Sequence, residues 1–172
     1  EPPFRVLKNS ALPPDMASGS TEFVANVSFP TTKKIALADI TYLAQATLAN
    51  MSSDVIVPGR LVRAEKLILT ADPTKVEISG PAKIGGVSTG FLWAQQSSAE
   101  QAGKSSVSGS IELTQGFIDE FGIGLPKGSV KGAGRGDYTI DLETDQRPRF
   151  SLTSDLKGIG ISVPPIGWSK ST

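Results

Sequence analysis

The sequence predicts a mainly β protein: a curved antiparallel sheet, or an open β-groove or sandwich, with one short helix near residues 114–121. Apolar and polar residues alternate in several segments, as they do in strands with one covered face. Glycine (18 residues) and proline (12) are frequent and aromatic residues make up only 6%, which suits short strands and turns better than a helical bundle. We expect residues 1–172 to form a single β-rich module that is a fragment of a longer, repeat-built protein.

The first two elements differ in how clearly their residue spacing predicts a strand. Residues 22–29 follow a loop at 11–20 and alternate strictly, which predicts a half-buried strand. The segment 35–51 is ambiguous, because its apolar residues fit both helical and strand spacing. Its β-rich neighbours favour the strand, and the helix stays open as an alternative.

A hairpin is predicted next. Residues 60–71 form a long strand candidate, the sequence Asp72-Pro73-Thr74-Lys75 supplies turn residues, and residues 76–79 return. Gly80-Pro81 predicts a bend or bulge, because proline cannot donate to a ladder and glycine relaxes the backbone. The chain then resumes through 84–93. The polar stretch 95–106 has little to bury and predicts a mobile surface loop.

One helix is predicted in the second half of the chain. Residues 107–113 alternate, and the apolar period then changes to helical spacing over 113–121. Thr114 is placed to cap the helix and Gly122 to end it. The tail predicts strands in 129–142 and in 150–163, with a turn at 143–147 and breaks at Gly158 and Gly160.

Charge and composition exclude several classes of function. Seventeen basic and seventeen acidic residues give a net charge of zero, so we expect no nucleic-acid partner. The sequence has no cysteine and no histidine, which removes disulfides, thiolate nucleophiles, Ser-His-Asp triads and ordinary transition-metal sites. We therefore expect no enzymatic activity, no catalytic residues, no metal site and no cofactor.

Two small groups of residues favour structural interpretations. Gly132, Gly134 and Gly136 precede a continuing strand rather than a helix, which indicates a bulged strand entry and not a phosphate loop. Asp119 and Glu120 diverge on the helix, so a solvated helix face accounts for them better than a carboxylate pair.

Other polar and aromatic residues also favour structural roles over a binding or catalytic site. A set of acidic residues has oxygen ligands suited to calcium but matches no calcium-loop pattern, so outward-facing strand charges are favoured. Its members are Asp137, Asp141, Glu143 and Asp145. Ser105 and Ser106 follow Lys104 without the spacing of a Ser-Lys nucleophile. Trp93 is more typical of a packing anchor than of a ligand platform.

Several segments, in their order, resemble the large AsmA-like, YhdP-type proteins of the cell envelope. The segment 155–170, DLKGIGISVPPIGWSK, is similar to a family pattern in which "DL-x-G", an apolar strand and "P-x-x-G-W-x-K" follow one another. Residues 58–61 (PGRL) and 76–87 (VEISGPAKIGGV), with Trp93 beyond them, are also similar. So is the step 122–126 (GIGLP) after the helix. The resemblance spans residues 35–170.

This resemblance implies a periplasmic segment of a long protein that is tethered to the inner membrane of a Gram-negative bacterium. Proteins of the family build elongated grooves from repeated β units and are linked to phospholipid transport toward the outer membrane. The implied partners are phospholipid acyl chains and the flanking repeats of the same protein. The resemblance also favours a strand for 35–51.

A curved sheet with one apolar face could shelter acyl chains, since each buried methylene contributes about 0.8 kcal/mol. Alternating apolar residues equally suit a closed core, which would make the chain a structural or protein-interaction module of the envelope. The lipid-contacting candidates are Leu67, Leu69, Val76, Ile78, Phe91, Trp93, Ile111, Tyr138, Ile140 and Phe150.

Overall fold

The computed structural model describes residues 16–31 and 39–171. Most of the loop predicted at 11–20 and the start of the segment 35–51 lie outside these residues. The strands are β1 (Ser18–Ser28), β2 (Thr41–Val57), β3 (Arg60–Ala71), β4 (Lys75–Ile84), β5 (Val87–Gln96), β6 (Lys104–Leu113), β7 (Val130–Gly132), β8 (Gly134–Glu143), β9 (Arg149–Thr153), β10 (Ile159–Val163) and β11 (Trp168–Lys170). Helix α1 spans Gln115–Phe121, and short 3₁₀ helices span Ala99–Gln101 and Pro164–Ile166.

Eight strands form one antiparallel sheet in the order β1-β2-β3-β4-β5-β6-β8-β9. Of the described strands β1 to β9, β7 alone does not belong to this sheet, and it joins β10 and β11 in a second, three-stranded antiparallel sheet. The large sheet ends at β1 on one side and β9 on the other, so it is open rather than closed into a barrel. The predicted mainly β class with one short helix is confirmed.

The β3–β4 hairpin forms as the sequence predicts. The Asp72 carboxylate accepts hydrogen bonds from the amides of Thr74 (2.7 Å) and Lys75 (3.1 Å), which fixes the turn. Strand β4 then continues past Gly80-Pro81 to Ile84. The register with β3 shifts opposite Gly80-Pro81, but the extra residue of this bulge lies on β3, between Arg63 and Ile68, and not in the predicted strand. A Cβ on Gly80 would lie 2.9 Å from the side chain of Leu67.

Helix α1 also has its predicted ends. The Thr114 hydroxyl accepts a hydrogen bond from the amide of Phe117 (3.3 Å), and Gly122 adopts the left-handed conformation that closes the helix. Phe117 is buried and faces the large sheet. The helix therefore covers part of one face of that sheet.

Three sequence-based expectations are corrected. The loop expected over 95–106 is shorter and spans 97–103, because β5 continues to Gln96 and β6 begins at Lys104, with Gln95 opposite Ser105. The strand expected over 129–142 is divided at Ala133 between two sheets. Strand β1 is exposed along all eleven residues instead of half-buried. The segment 41–51 is strand, as favoured.

Candidate functional site

The large sheet carries a continuous row of apolar side chains, named here the apolar row. Cross-strand partners link one residue from each of its eight strands. In spatial order they are Phe23, Ala46, Leu69, Ile78, Trp93, Val107, Ile140 and Phe150. Directly opposed residues lie on the same face of a sheet, so the row defines an apolar face that crosses the whole sheet.

A second row runs beside the first on the same face. Leu48 pairs with Leu67, and beyond the bulge Phe91 pairs with Gly109, which pairs with Tyr138. The Tyr138 hydroxyl is buried and accepts a hydrogen bond from Thr89 (3.2 Å). This row is the more deeply packed of the two, since Leu67 and Tyr138 are buried.

One end of the apolar face is covered by helix α1 and the small sheet. Phe117 from the helix and Ile159 from β10 pack against Val87, Ile111 and Leu113 of the large sheet. Together with Val130 and Tyr138 these residues form the main buried cluster. This part of the protein is a closed two-layer core.

Glycines in β8 allow this close packing. A Cβ on Gly134 would lie 2.4 Å from the side chain of Ile159, and one on Gly136 would lie 2.8 Å from that of Leu152. Gly132 adopts a positive φ of 80° where the chain leaves the small sheet. The three glycines thus belong to a strand entry, as the sequence analysis favoured.

The rest of the apolar face has a different character. A second cluster, Ala64, Leu67 and Ala82 with four half-buried neighbours including Ile78 and Phe91, is built entirely from β2 to β5. Its members lie side by side on one sheet, and none of them comes from a second layer. Within residues 16–31 and 39–171, the apolar face over these strands therefore consists of a single layer.

All ten predicted candidates project from the apolar face, but they differ in access. Leu67, Ile111 and Tyr138 are buried, and two of them belong to the closed core. Phe150 is 63% exposed at the edge strand β9. The other six are half-buried: Leu69, Val76, Ile78, Phe91, Trp93 and Ile140.

An open groove of about 930 Å³ lies on the opposite, polar face, where the sequence patterns predicted no site. Its floor is made of small residues on three neighbouring strands, Pro81, Gly90 and Ser110. Longer charged side chains, including Arg63 and Glu112, stand along it. Small residues at matching positions of adjacent strands could have predicted this groove. Alternation alone does not show where a sheet curves.

Charged groups form local pairs. Glu120 was expected on a solvated helix face, but it is half-buried and lies 3.3 Å from the guanidinium of Arg60. Asp137 is exposed and lies 3.6 Å from Arg135. Within residues 16–31 and 39–171, no group of three or more acidic side chains is arranged to hold a metal ion.

Two carboxyl groups have a lowered pKa, and both belong to exposed turns. The Thr74 hydroxyl and amide lower the pKa of Asp72, and the Lys157 amide and ammonium lower that of Asp155. Hydrogen bonds that these turns donate to the carboxylate stabilise its charged form, and this lowers its pKa. Both shifts are therefore accounted for by turn geometry.

The segment with the family-like sequence pattern forms the small sheet. The ammonium of Lys170 donates hydrogen bonds to the carbonyls of Leu156 (3.0 Å) and Ile159 (2.8 Å). Trp168 lies two residues earlier and is 48% exposed. The lysine thus ties the last strand to the loop that enters β10.

Comparison with family models, with curated proteins and with solved structures gives no match. None of the helices in the described part of the chain is long and apolar enough to cross a membrane.

Proposed function

We propose that this chain is a non-enzymatic segment of an AsmA-like envelope protein and that its apolar face shelters phospholipid acyl chains. The observation that carries this proposal is the apolar row, which crosses eight strands and, among the described residues, has no second layer packed on it over β2 to β5. A sheet face of this kind gains stability when an apolar partner covers it.

Acyl chains suit this face physically. Side chains such as Ile78 and Trp93 offer apolar surface without directional hydrogen bonds, and each methylene that they shield from water contributes about 0.8 kcal/mol. Many weak and similar contacts along one row would let a chain move from strand to strand. Transport along such a surface requires no catalytic group.

The resemblance of residues 35–170 to AsmA-like proteins supports the same proposal. It implies a location in the periplasm, as part of a longer protein that is tethered to the inner membrane and has flanking β units as neighbours. Residues 155–170, which contribute to the resemblance, form β10, β11 and the Lys170 contacts of the small sheet. In this proposal the small sheet closes one end of the lipid-bearing face.

A second candidate function rests on the same single-layered surface. A protein layer would complete a two-layer sandwich over β2 to β5 as well as a lipid would, which makes the chain a structural or protein-interaction module of the envelope. The two candidates differ in one measurable respect: only the first brings acyl chains into contact with Trp93.

The two tryptophans of the sequence, Trp93 and Trp168, allow a direct test. In the Trp168→Phe variant, Trp93 is the only indole, and phospholipid vesicles with brominated acyl chains should quench its fluorescence. In the matched Trp93→Phe variant, the remaining Trp168 lies in the small sheet and should be quenched far less. Equal quenching of the two, or none, would contradict the lipid proposal.

A pair of isoleucine substitutions tests the same surface without fluorescence. Ile78→Glu places a charge on the apolar row, whereas Ile68→Glu places the same charge on the opposite face, beside its neighbour Leu69. We expect phospholipid that copurifies with the protein, measured by mass spectrometry, to be lost only in Ile78→Glu. Circular dichroism of both variants checks that the sheet is intact.

A further inference from the structure

Strand β1 has one unpaired edge. It pairs with β2 along ten of its residues on one side, and among the residues that the structure describes no strand pairs with the other side. All eleven residues of β1 are exposed. Within the described part of the chain, its outer backbone amides and carbonyls are therefore open to another strand.

The two edges of the large sheet differ in how they are protected. Strand β9 is only five residues long and begins at Arg149. Arg147 and Pro148 come directly before it. Charged residues, proline and short length are the features that keep an edge from pairing. Strand β9 is therefore a blunted edge.

Strand β1 has none of these features. It is eleven residues long, contains no proline, and has a single charged residue, Glu22. Large apolar side chains are exposed on both of its faces: Phe23 and Val27 on the apolar face and Val24 on the other. A long edge of this composition is the type that binds another strand.

We propose that β1 pairs with β1 of a second copy of this chain, in antiparallel orientation, to form a two-fold dimer. An unpaired backbone edge forms hydrogen bonds with another strand, and the side chains of β1 are compatible with those of a second β1. When the two-fold axis passes through Phe23, each of the eleven residues of β1 lies opposite a residue of β1 in the second copy. Phe23 then faces Phe23 of the second copy and Glu22 faces Val24, so no like charges are opposed.

This register also joins the two apolar faces. Odd-numbered residues face odd-numbered residues, so both apolar rows lie on the same side of one continuous sixteen-stranded sheet. Pairing of β1 with β9 would instead be limited to five residues and would leave free edges that continue into a filament. The β1 pairing uses the same surface twice and closes at two copies.

The sequence contains no cysteine, so engineered cysteines report the register directly. Phe23→Cys should form a disulfide-linked dimer under mild oxidation, because opposed Cα atoms in a sheet lie within disulfide range. Ser20→Cys alone should not, since residue 20 faces residue 26 of the second copy. The double variant Ser20→Cys, Asn26→Cys should crosslink again. Equal crosslinking of both single variants would overturn the proposed register.

Charge substitutions at the axis give an independent test. Phe23 is 63% exposed, so replacing it should leave the fold intact. Phe23→Lys and Phe23→Glu should each convert the dimer to a monomer, because identical charges then face each other. A mixture of the two variants should restore a dimer that contains one copy of each.

Light scattering and native mass spectrometry measure these masses. A native chain that stays monomeric at its highest soluble concentration would overturn the proposal. Dimers that persist in both charged variants would do the same. The dimer does not depend on what the apolar face binds, and the Trp93 quenching experiment can succeed or fail without changing this outcome.

Discussion

Arg60, at the start of β3, holds the end of helix α1 through Glu120. Its Nε lies 3.3 Å from the carboxylate and also donates to the Glu120 carbonyl, at 3.2 Å. The guanidinium is 5.0 Å from the centre of the Phe121 ring. A cation at a helix C-terminus is favourable in its own right, so one side chain fixes the helix to the sheet by three kinds of contact.

We expect Arg60→Ala to lower the free energy of unfolding by about 1–2 kcal/mol, since it removes a half-buried ion pair, backbone hydrogen bonds and the ring contact together. Arg135→Ala is the matched control. Arg135 also pairs with a carboxylate, that of Asp137 at 3.6 Å, but both side chains are more than 70% exposed. The loss for Arg135→Ala should therefore be under about 0.5 kcal/mol. Urea denaturation measures both, and equal values would contradict this ranking.

Gly134 is predicted to be intolerant of a methyl group. A Cβ there would lie 2.8 Å from the backbone carbonyl of Lys157 as well as against Ile159, so the small sheet would have to move. We expect Gly134→Ala to destabilise by about 1–3 kcal/mol. Gly124→Ala, where a Cβ meets nothing within 4 Å, should change stability by less than about 0.5 kcal/mol. Thermal unfolding of the two variants decides the matter.

Local patterns predicted much of the fold. Strand β3 has the bounds expected from alternation, the Asp72 turn follows from its residue types, and helix α1 lies between its predicted caps Thr114 and Gly122. These features depend on neighbours in sequence. They could therefore be recognised without knowing what packs against them.

The failures concern contacts between distant residues. The small sheet was missed because β7 is three residues long and pairs with β10 far along the chain. Strand β1 is exposed because none of the described residues packs over it, which alternation cannot show. For the same reason, nothing in the sequence separated buried Ile111 from half-buried Ile78.

Lys170 should be a stability determinant of the small sheet. Its ammonium donates to three backbone carbonyls: that of Leu156 in the loop before β10, that of Ile159 at the start of β10 and that of Ser171. Hydrogen bonds that involve a charged group are worth about 1.5–3 kcal/mol each. We expect Lys170→Met to destabilise by about 1–3 kcal/mol. Hydrogen exchange should accelerate in β10 and β11 but not in β3 or β4.

The control for this substitution is Lys157→Met. Lys157 is 88% exposed and pairs only with the exposed carboxylate of Asp155, so its removal should leave exchange in β10 unchanged. Faster exchange throughout the large sheet in Lys170→Met would show that the lysine supports the whole fold rather than the small sheet.

The pKa of Asp72 is lowered first by the hydroxyl of Thr74 and then by the backbone amide of that residue. Because the native pKa lies below that of the unfolded chain, the turn's stabilisation is fully present above about pH 4 and is lost as the pH falls through the native pKa. Thr74→Val removes the hydroxyl and keeps the amide, so the pKa should rise toward its ordinary value. Thr74→Ser should leave it low. Carbon-detected NMR titration of the Asp72 carboxyl measures both variants, with Asp155 as the internal reference that should not move. An unchanged pKa for Asp72 in Thr74→Val would assign the lowering to the backbone amides instead of the hydroxyl.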